Sequence, residues 1–277
     1  MNQLSVINAR IPSSSSDTRY SVVVEGDVIK SVSSTAVRNE IDMLMPGFID
    51  IHNHGAVGVD VNAATAEDLL TVAEFLAKSG VTAWLPTLVP DTDENYQRVI
   101  GEIDRLMELQ EGKPVAQALG VHYEGVFANE AMCGALRPEY FKSGQWSVVG
   151  GQIPRLKHGI HMTTIAPEVD GGIDLIRELA GEGWIVAIGH TRADAKTLDA
   201  AFAAGAKHLT HFFNAMTGIH HRDVGVAGWG LSRPDVTFDI IARSLFTSHQ
   251  VVGSIVVRFD FFPLFKNKNF GFVFSRL

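Results

Sequence analysis

Four histidines and one glutamate, each at or near the end of an apolar segment, are the residues best suited to bind a metal ion. Two of them, His52 and His54, close the apolar residues 44–54. Because side chains alternate along a strand, these two imidazoles point to one side and Asn53 points away. Two imidazoles one strand repeat apart can chelate a single ion. The pair therefore predicts a metal site.

Three further candidates end other apolar segments: Glu124, His190 and His211. Taken singly, such a glutamate is more often a solvated turn residue and such a histidine a hydrogen-bonded core residue. Their recurrence at several strand ends favours metal binding, since active sites of barrel enzymes lie where the strands end and histidine is the commonest metal ligand. The five residues together could hold one or two divalent ions.

Strands and helices alternate along most of the chain, after an opening that predicts a small β subdomain over residues 1–44. Seven strands are predicted, at residues 44–54, 81–88, 118–124, 159–166, 184–190, 208–213 and 236–242. Between most of them the spacing predicts helices, two of which are capped by Thr65 with Asp68 and by Thr191 with Asp194. This alternation favours a parallel sheet. We expect a (β/α)₈ TIM-barrel-like hydrolase fold over residues 45–242, lacking the eighth strand. An open doubly wound sheet is the alternative, weakened because no Gly-x-Gly-x-x-Gly follows a strand.

The last segment, residues 243–277, differs in composition from the rest of the chain. It holds eight of the sixteen phenylalanines and carries a net charge of +4, whereas the other 242 residues carry −12. A frame shift, a truncated gene or a cloning scar would produce such a break. The alternative is a genuine aromatic structure. We expect an atypical tail that does not continue the barrel.

Charge and cysteine content limit the partners and the compartment. The net charge of −8 disfavours nucleic acid and anionic membranes as partners. The single cysteine, Cys133, fits a reducing cytoplasm. Residues 1–12 do not resemble a signal peptide, and no stretch has the uncharged apolar length of a membrane span. We therefore expect a cytoplasmic protein with a small-molecule substrate.

Six motifs, in order along residues 1–242, resemble those of the N-acetylglucosamine-6-phosphate deacetylase family of the amidohydrolase superfamily. They lie at residues 46–55 (Pro-Gly-Phe-Ile-Asp-Ile-His-Asn-His-Gly), 122–125 (His-Tyr-Glu-Gly), 164–168 (Thr-Ile-Ala-Pro-Glu), 189–191 (Gly-His-Thr), 210–216 (Thr-His-Phe-Phe-Asn-Ala-Met) and 221–225 (His-Arg-Asp-Val-Gly). The resemblance implies metal-dependent hydrolysis of the N-acetyl amide of an amino-sugar phosphate.

The resemblance also implies a role for each candidate ligand. Glu124, His190 and His211 match the ligands of the main metal ion, and His52 and His54 match those of a second ion that some members lack. The implied cofactor is one or two divalent ions, zinc by preference. Because no lysine ends the fourth strand, Glu124 would take the place of the carbamylated lysine that bridges two ions in other amidohydrolases.

Four other residues match substrate contacts of the family. Asn214 and Ala215 match a substrate-binding loop, and Ala135 lies in a segment where many members read Gly-Ala-His. Arg222 matches the arginine that binds the phosphate of a neighbouring subunit's substrate, which implies a homodimer for the complete protein. A guanidinium suits that task because its planar donors match phosphate oxygens.

The sequence departs from the family pattern at three places. No match exists for the catalytic aspartate of a Thr-Asp-Ala-like motif, so the catalytic acid is unknown. Arg243 and Ser244 stand where the family's Ala-Asp-Gly-x-His should continue from Ala242. Leu136 stands where many members have histidine, which suggests a different amino-sugar specificity. Two alternatives therefore stay open: an amidohydrolase acting on another amide, and a catalytically dead, truncated product that binds metal and sugar phosphate.

Overall fold

The computed structural model describes most of the chain in two compact units, residues 1–47 and 48–277. The described residues are 3–10, 19–26, 28–35, 42–43, 46–142, 153–241 and 274–275. Of the segment predicted to be atypical, only residues 274–275 are described. The predicted divisions after residues 44 and 242 stay predictions.

The first unit is a four-stranded sheet, which confirms the predicted small β subdomain. Its strands are β1 (Gln3–Arg10), β2 (Arg19–Glu25), β3 (Val28–Thr35) and β4 (Asp42–Met43), in the order β3-β2-β1-β4. The first three pair antiparallel, and β4 pairs parallel with β1. Gly26 has φ +64° at the turn between β2 and β3, a conformation that glycine adopts without strain.

The second unit is a curled parallel sheet with helices in the connections, which confirms the predicted TIM-barrel-like class. Its strands are β5 (Phe48–Asn53), β6 (Val81–Leu88), β7 (Gln117–Ala118), β8 (Gly120–Phe127), β9 (Ile160–Ile165), β10 (Ile185–Ile188), β11 (His208–Leu209) and β12 (Thr237–Phe238). The order is β12-β11-β10-β9-β8-β6-β5, with β7 beside β6. Strand order follows the sequence without reversal. A doubly wound sheet reverses its order at a switch point, so that alternative is wrong.

One more short pairing lies beside this sheet. Strands β13 (Ile240–Ile241) and β14 (Phe274–Ser275) run parallel, and β14 also contacts β5. The predicted lack of an eighth strand concerns residues 243–277, of which only the two residues of β14 are described.

Three of the five described α-helices begin at a side chain that caps them: Thr65, Thr92 and Asp194. They are α1 (Ala66–Lys78), α2 (Asp93–Leu109), α3 (Gly172–Gly181), α4 (Ala195–Ala204) and α5 (Gly225–Ser232). Thr65 and Asp68 form the predicted capping box of α1. Asp194 alone caps α4, whereas Thr191 donates its hydroxyl hydrogen to Glu168. The prediction that Thr191 helps to cap α4 was therefore wrong, because a carboxylate from another loop binds its hydroxyl group. No described helix has the length and apolar character needed to cross a membrane.

The core lies between the sheet and its helices, and β8 runs through it with every residue buried. Strands of parallel sheets are covered on both faces, so such a strand is apolar nearly throughout. Trp84, Tyr96, Tyr123 and Phe127 are among the largest fully buried aromatic side chains around it. Glu124 is the only acid on β8. Its carboxylate therefore needs compensation from neighbouring side chains.

Candidate metal centre

The carboxylate of Glu124 is surrounded by four imidazoles. Its Oε1 atom lies 3.0 Å from Nε2 of His190 and 3.1 Å from Nε2 of both His211 and His52. Its Oε2 atom lies 3.0 Å from Nε2 of His54. The structure thus brings all five predicted ligands together, in two groups that share Glu124.

The local backbone presents the four imidazoles at or just after the ends of three strands, whereas Glu124 lies inside β8, which continues three residues beyond the predicted end to Phe127. His52 lies in β5 and His54 follows it, whereas His190 and His211 follow β10 and β11. Both of the latter have positive φ, 49° and 35°, which is rare for residues other than glycine and clusters at functional sites. The bend at His211 also explains why the strand predicted over residues 208–213 is shorter in the structure.

Hydrogen bonds at the far side of two rings orient their nitrogens. Nδ1 of His54 lies 3.2 Å from the carbonyl oxygen of Thr87, and Nδ1 of His190 lies 2.8 Å from that of Met132. A carbonyl oxygen only accepts, so Nδ1 carries the proton in both rings. In its neutral form each ring then has its lone pair on Nε2, the nitrogen that would face a bound ion, as in metal-binding imidazoles.

The donor set fits a divalent ion. Nε2 of His52 and His54 are 3.0 Å apart, and Nε2 of His190 and His211 are 2.9 Å apart. For ligand bonds of about 2.0–2.1 Å, tetrahedral coordination places ligand atoms about 3.3 Å from each other. Nitrogen and oxygen donors of this kind suit zinc and other first-row divalent ions. The residues present could hold one ion in each group.

Burial and mutual charge shift the proton affinities of the cluster. Burial alone raises the pKa of Glu124, but the facing imidazoles outweigh it and hold that pKa well below its ordinary value. Burial alone lowers the pKa of His52, but the carboxylates of Glu124 and Asp239 raise it to about 10. Without an ion, a protonated His52 therefore compensates the charge of Glu124.

His122, beside the cluster, is fully engaged elsewhere. Its Nδ1 lies 2.9 Å from the carbonyl oxygen of Ile51, and its Nε2 lies 2.8 Å from Oγ1 of Thr164. That hydroxyl lies 2.7 Å from Oγ1 of Thr210. Burial is the main reason that the pKa of His122 falls to about 3. This neutral imidazole ties β8 to its neighbours and is not a candidate ligand.

Two buried aspartates at the cluster were not singled out from the sequence. Asp50 accepts hydrogen bonds from the Asn53 side chain and the His52 N–H, and burial raises its pKa to about 7. Asp239 contacts His52, His208 and the backbone of His211. The available signal was an acid inside an otherwise apolar strand, residues 236–242.

The residues predicted to bind substrate occupy less buried positions. Asn214 and Ala215 directly follow the His211 bend, with Ala215 at φ 48° and its carbonyl oxygen accepting from the Thr191 N–H. Arg222 is exposed, and its Nε donates to Nε2 of His221. Their substrate roles stay predictions.

Ala135 lines an open, polar cavity of about 600 Å³ together with Asp91, Arg98 and Arg137. The neighbouring Leu136 is buried. Its side chain packs so closely on Gly125 that a Cβ there would lie 2.1 Å from it. A contact of Ala135 with substrate stays a prediction.

The sequence is similar to curated deacetylases of amino-sugar phosphates. It is 33% identical over 214 residues to the N-acetylgalactosamine-6-phosphate deacetylase of Escherichia coli O157:H7, covering 77% of this chain and 56% of the relative. It is 36% identical over 199 residues to the N-acetylglucosamine-6-phosphate deacetylase of Vibrio furnissii, covering 72% and 49%. The chain thus spans about half the length of the curated relatives it matches. These matches confirm the resemblance inferred from the motifs.

Solved structures show the same likeness. The N-acetylglucosamine-6-phosphate deacetylase of Thermotoga maritima superposes with a TM-score of 0.77 at 26% identity, covering 92% of this chain and 67% of that one. A point mutant of the Mycobacterium smegmatis enzyme, in complex with N-acetyl-D-glucosamine-6-phosphate, gives 0.73 at 26% identity, covering 86% and 63%. The sequence pattern of the Amidohydrolase family, whose members depend on metal ions, matches residues 43–249, and the chain belongs to that family.

Proposed function

We propose that this chain provides the metal centre for hydrolysis of the N-acetyl amide of an amino-sugar 6-phosphate. The observation that carries the proposal is the cluster of four imidazoles around the buried carboxylate of Glu124. The named activities of the relatives support the substrate class. Both epimers, N-acetylglucosamine and N-acetylgalactosamine 6-phosphate, are candidates.

In this proposal Glu124, His190 and His211 would hold the main ion, and His52 and His54, together with Glu124, would hold a second one. When bound, a divalent ion such as zinc lowers the pKa of a water molecule to about 7 and polarises the amide carbonyl. The chain's own residues fix the ligand orientation: the carbonyl groups of Thr87 and Met132 keep two imidazoles in the tautomer that binds. Ionised Glu124 supplies the negative charge.

The sugar ring and the phosphate of the substrate would be bound by residues outside the metal cluster. Asn214, Ala215 and Ala135 are proposed to contact the sugar, and Arg222 to bind the phosphate of a neighbouring subunit in a cytoplasmic homodimer. Exposure of Arg222 supports this, since a guanidinium that reaches another subunit must not be buried in its own.

A second candidate function is binding of metal and sugar phosphate without turnover. An amide nitrogen must be protonated as it leaves, and a positioned acid contributes typically about 10²–10⁴ in rate. Among the described residues, the two acids nearest the cluster apart from Glu124 are engaged within the protein: Asp50 by Asn53 and His52, and Asp239 by His208 and His211. This arrangement favours slow turnover by the described part of the chain.

The test combines metal content with acetate release. The purified chain would be loaded with zinc, dialysed and assayed with both 6-phosphates and with unphosphorylated N-acetylglucosamine. We expect bound zinc and a preference for a phosphorylated substrate. Zinc binding without acetate release would support the second candidate, whereas a chain that retains no ion would contradict both.

The phosphate assignment is tested by Arg222→Ala. If turnover is measurable, we expect KM to rise about tenfold or more for the 6-phosphate and little for the unphosphorylated sugar, because only the former loses a charge-assisted contact. Arg177→Ala removes another exposed arginine, on α3, and serves as the matched control. Equal effects of Arg222→Ala on both substrates would remove the assignment.

A further inference from the structure

Asp239 is a fully buried carboxylate in the loop position between β12 and β13. Its own backbone is locked to the segment that carries His211. The Asp239 N–H donates to the Leu209 carbonyl at 3.2 Å, and the Phe212 N–H donates to the Asp239 carbonyl at 2.8 Å. These bonds fix the carboxylate relative to the bend on which His211 lies.

The carboxylate oxygen Oδ1 of Asp239 holds that bend directly. It accepts the backbone N–H of His211 at 3.0 Å and lies 3.0 Å from Nε2 of His208. His211 has a strained φ of 35°, so its N–H has left the regular strand pattern and needs another acceptor. Asp239 supplies this acceptor.

The other oxygen, Oδ2, faces His52. It lies 3.7 Å from Nδ1, the ring nitrogen opposite the one that faces Glu124. Within the described residues neither atom has a hydrogen-bond partner. A movement of about half an ångström brings the two atoms to hydrogen-bond distance.

We propose that Asp239 is a positioning residue for the metal centre, holding His52 through Nδ1–H and His211 through its backbone N–H. The inference rests on the proposed metal site. Outer-shell acceptors fix the tautomer and direction of metal-binding imidazoles. The carbonyl groups of Thr87 and Met132 do this for His54 and His190, and Asp239 would do it for His52.

The substitution Asp239→Asn separates positioning from packing because the two side chains have nearly the same shape. With its oxygen kept toward His208 and the His211 N–H, the new amide group points its hydrogens at Nδ1 of His52. That nitrogen must then accept, which moves the ring proton to Nε2 and blocks the lone pair that faces Glu124. We expect zinc affinity to fall about 10–100-fold, measured by competition with a chelator.

The matched control is His208→Gln. It removes the imidazole but keeps an N–H donor for Oδ1 of Asp239, and it leaves the His52 contact intact. We expect zinc affinity within about threefold of wild type. Equal losses of affinity in Asp239→Asn and His208→Gln would overturn the proposal, because they would assign Asp239 a general structural role.

A double-mutant cycle identifies the route of the effect. In a His52→Ala background, the part of the Asp239→Asn effect that acts through His52 should disappear. An undiminished effect there would overturn the coupling. If the wild-type chain retains no zinc, the metal site itself is wrong and the proposed function with it. This result differs from one in which the wild type binds zinc but Asp239→Asn has no effect, which would contradict only the role of Asp239.

The wild-type chain offers a second measurement that does not depend on folding of a variant. With ¹⁵N-labelled histidine and zinc bound, His52 should show a protonated Nδ1 and a metal-coordinated Nε2, assigned by comparison with His52→Asn. A His52 ring protonated at Nε2 in the zinc-loaded chain would overturn the proposal.

Discussion

Two carboxylates of this chain, Glu124 and Glu168, are surrounded by very different partners. Around Glu168 every partner is a hydrogen donor: the Asn129 side chain, the Arg192 N–H and the Thr191 hydroxyl. Around Glu124 the partners are four imidazole nitrogens, and in at least two of these rings Nδ1 donates to a backbone carbonyl group, which leaves Nε2 available to a bound ion. Glu168 is satisfied by hydrogen donors of the protein, whereas the proposed role of Glu124 requires a cation. The kind of partner thus suggests a structural role for Glu168 and metal binding for Glu124.

The largest expected effect is on metal binding in Glu124→Gln. Both ligand groups share this residue, so zinc affinity should fall more than about 100-fold, beyond the loss typical of outer-shell changes. The same substitution at Glu168 is the matched control and should leave zinc content unchanged. Elemental analysis after dialysis measures both. Retention of zinc by Glu124→Gln would contradict the assignment of Glu124, rather than Glu168, as the metal-binding carboxylate.

The next effect distinguishes the two ligand groups around Glu124. His190 is buried, whereas the His54 side chain is 21% exposed and water can replace it. We expect His190→Asn to weaken the tighter zinc site by about 100-fold and His54→Asn by about tenfold or less. Asparagine tolerates the positive φ of His190, so the backbone is preserved. A titration with limiting zinc tests this ranking, and the reverse order would contradict it.

A smaller effect, on stability, is expected for Glu168→Gln. Three hydrogen bonds lose a charged acceptor, and bonds to charged groups are the stronger ones. The free energy of unfolding of the metal-free chain, measured in urea, should fall by about 2–3 kcal/mol. A change below about 0.5 kcal/mol would show that these bonds contribute less than typical neutral ones.

The smallest effect is expected for Thr191→Val, which removes one of these bonds. The hydroxyl donates to Glu168 and accepts the Ala193 N–H, so its loss leaves that buried N–H without its acceptor. We expect about 1 kcal/mol lower unfolding free energy and unchanged zinc affinity. Thr197→Val, in the first turn of α4, is the control for loss of a threonine hydroxyl. Loss of zinc in Thr191→Val would contradict this expectation and show that the hydrogen bonds around Glu168 also support the metal site around Glu124.

The barrel class and the positions of the ligands could be predicted because each depends on local patterns. Alternating segments indicate parallel strands, and Glu124, His190 and His211 stand out as polar groups at the ends of apolar runs. The structure brings these side chains together, while ion binding by them stays a prediction. The family relationship was inferred from the order of the motifs and is shown by the match over residues 43–249.

What could not be predicted depends on contacts between distant segments. Thr191 resembles a helix cap, yet a carboxylate 23 residues earlier binds its hydroxyl group. Asp239 resembles any strand acid until the fold places His52 beside it, across a large separation in sequence. The strand predicted through His211 stops early because the backbone bends to aim that ring. In each case the structure depends on contacts with segments that are distant in the sequence.

The spread of the five ligands along the chain has a consequence for biosynthesis. At about 5–20 residues per second, roughly 8–30 s separate the synthesis of His52 from that of His211. During that interval Glu124 has left the ribosome without its last imidazole partner, and parallel pairing between distant strands forms slowly. The half-made barrel therefore carries a carboxylate and two or three histidines of the proposed metal site before the remaining ones are made. If the proposed site binds its ion at this stage, metal supply during translation would affect how much of the nascent chain reaches the folded state.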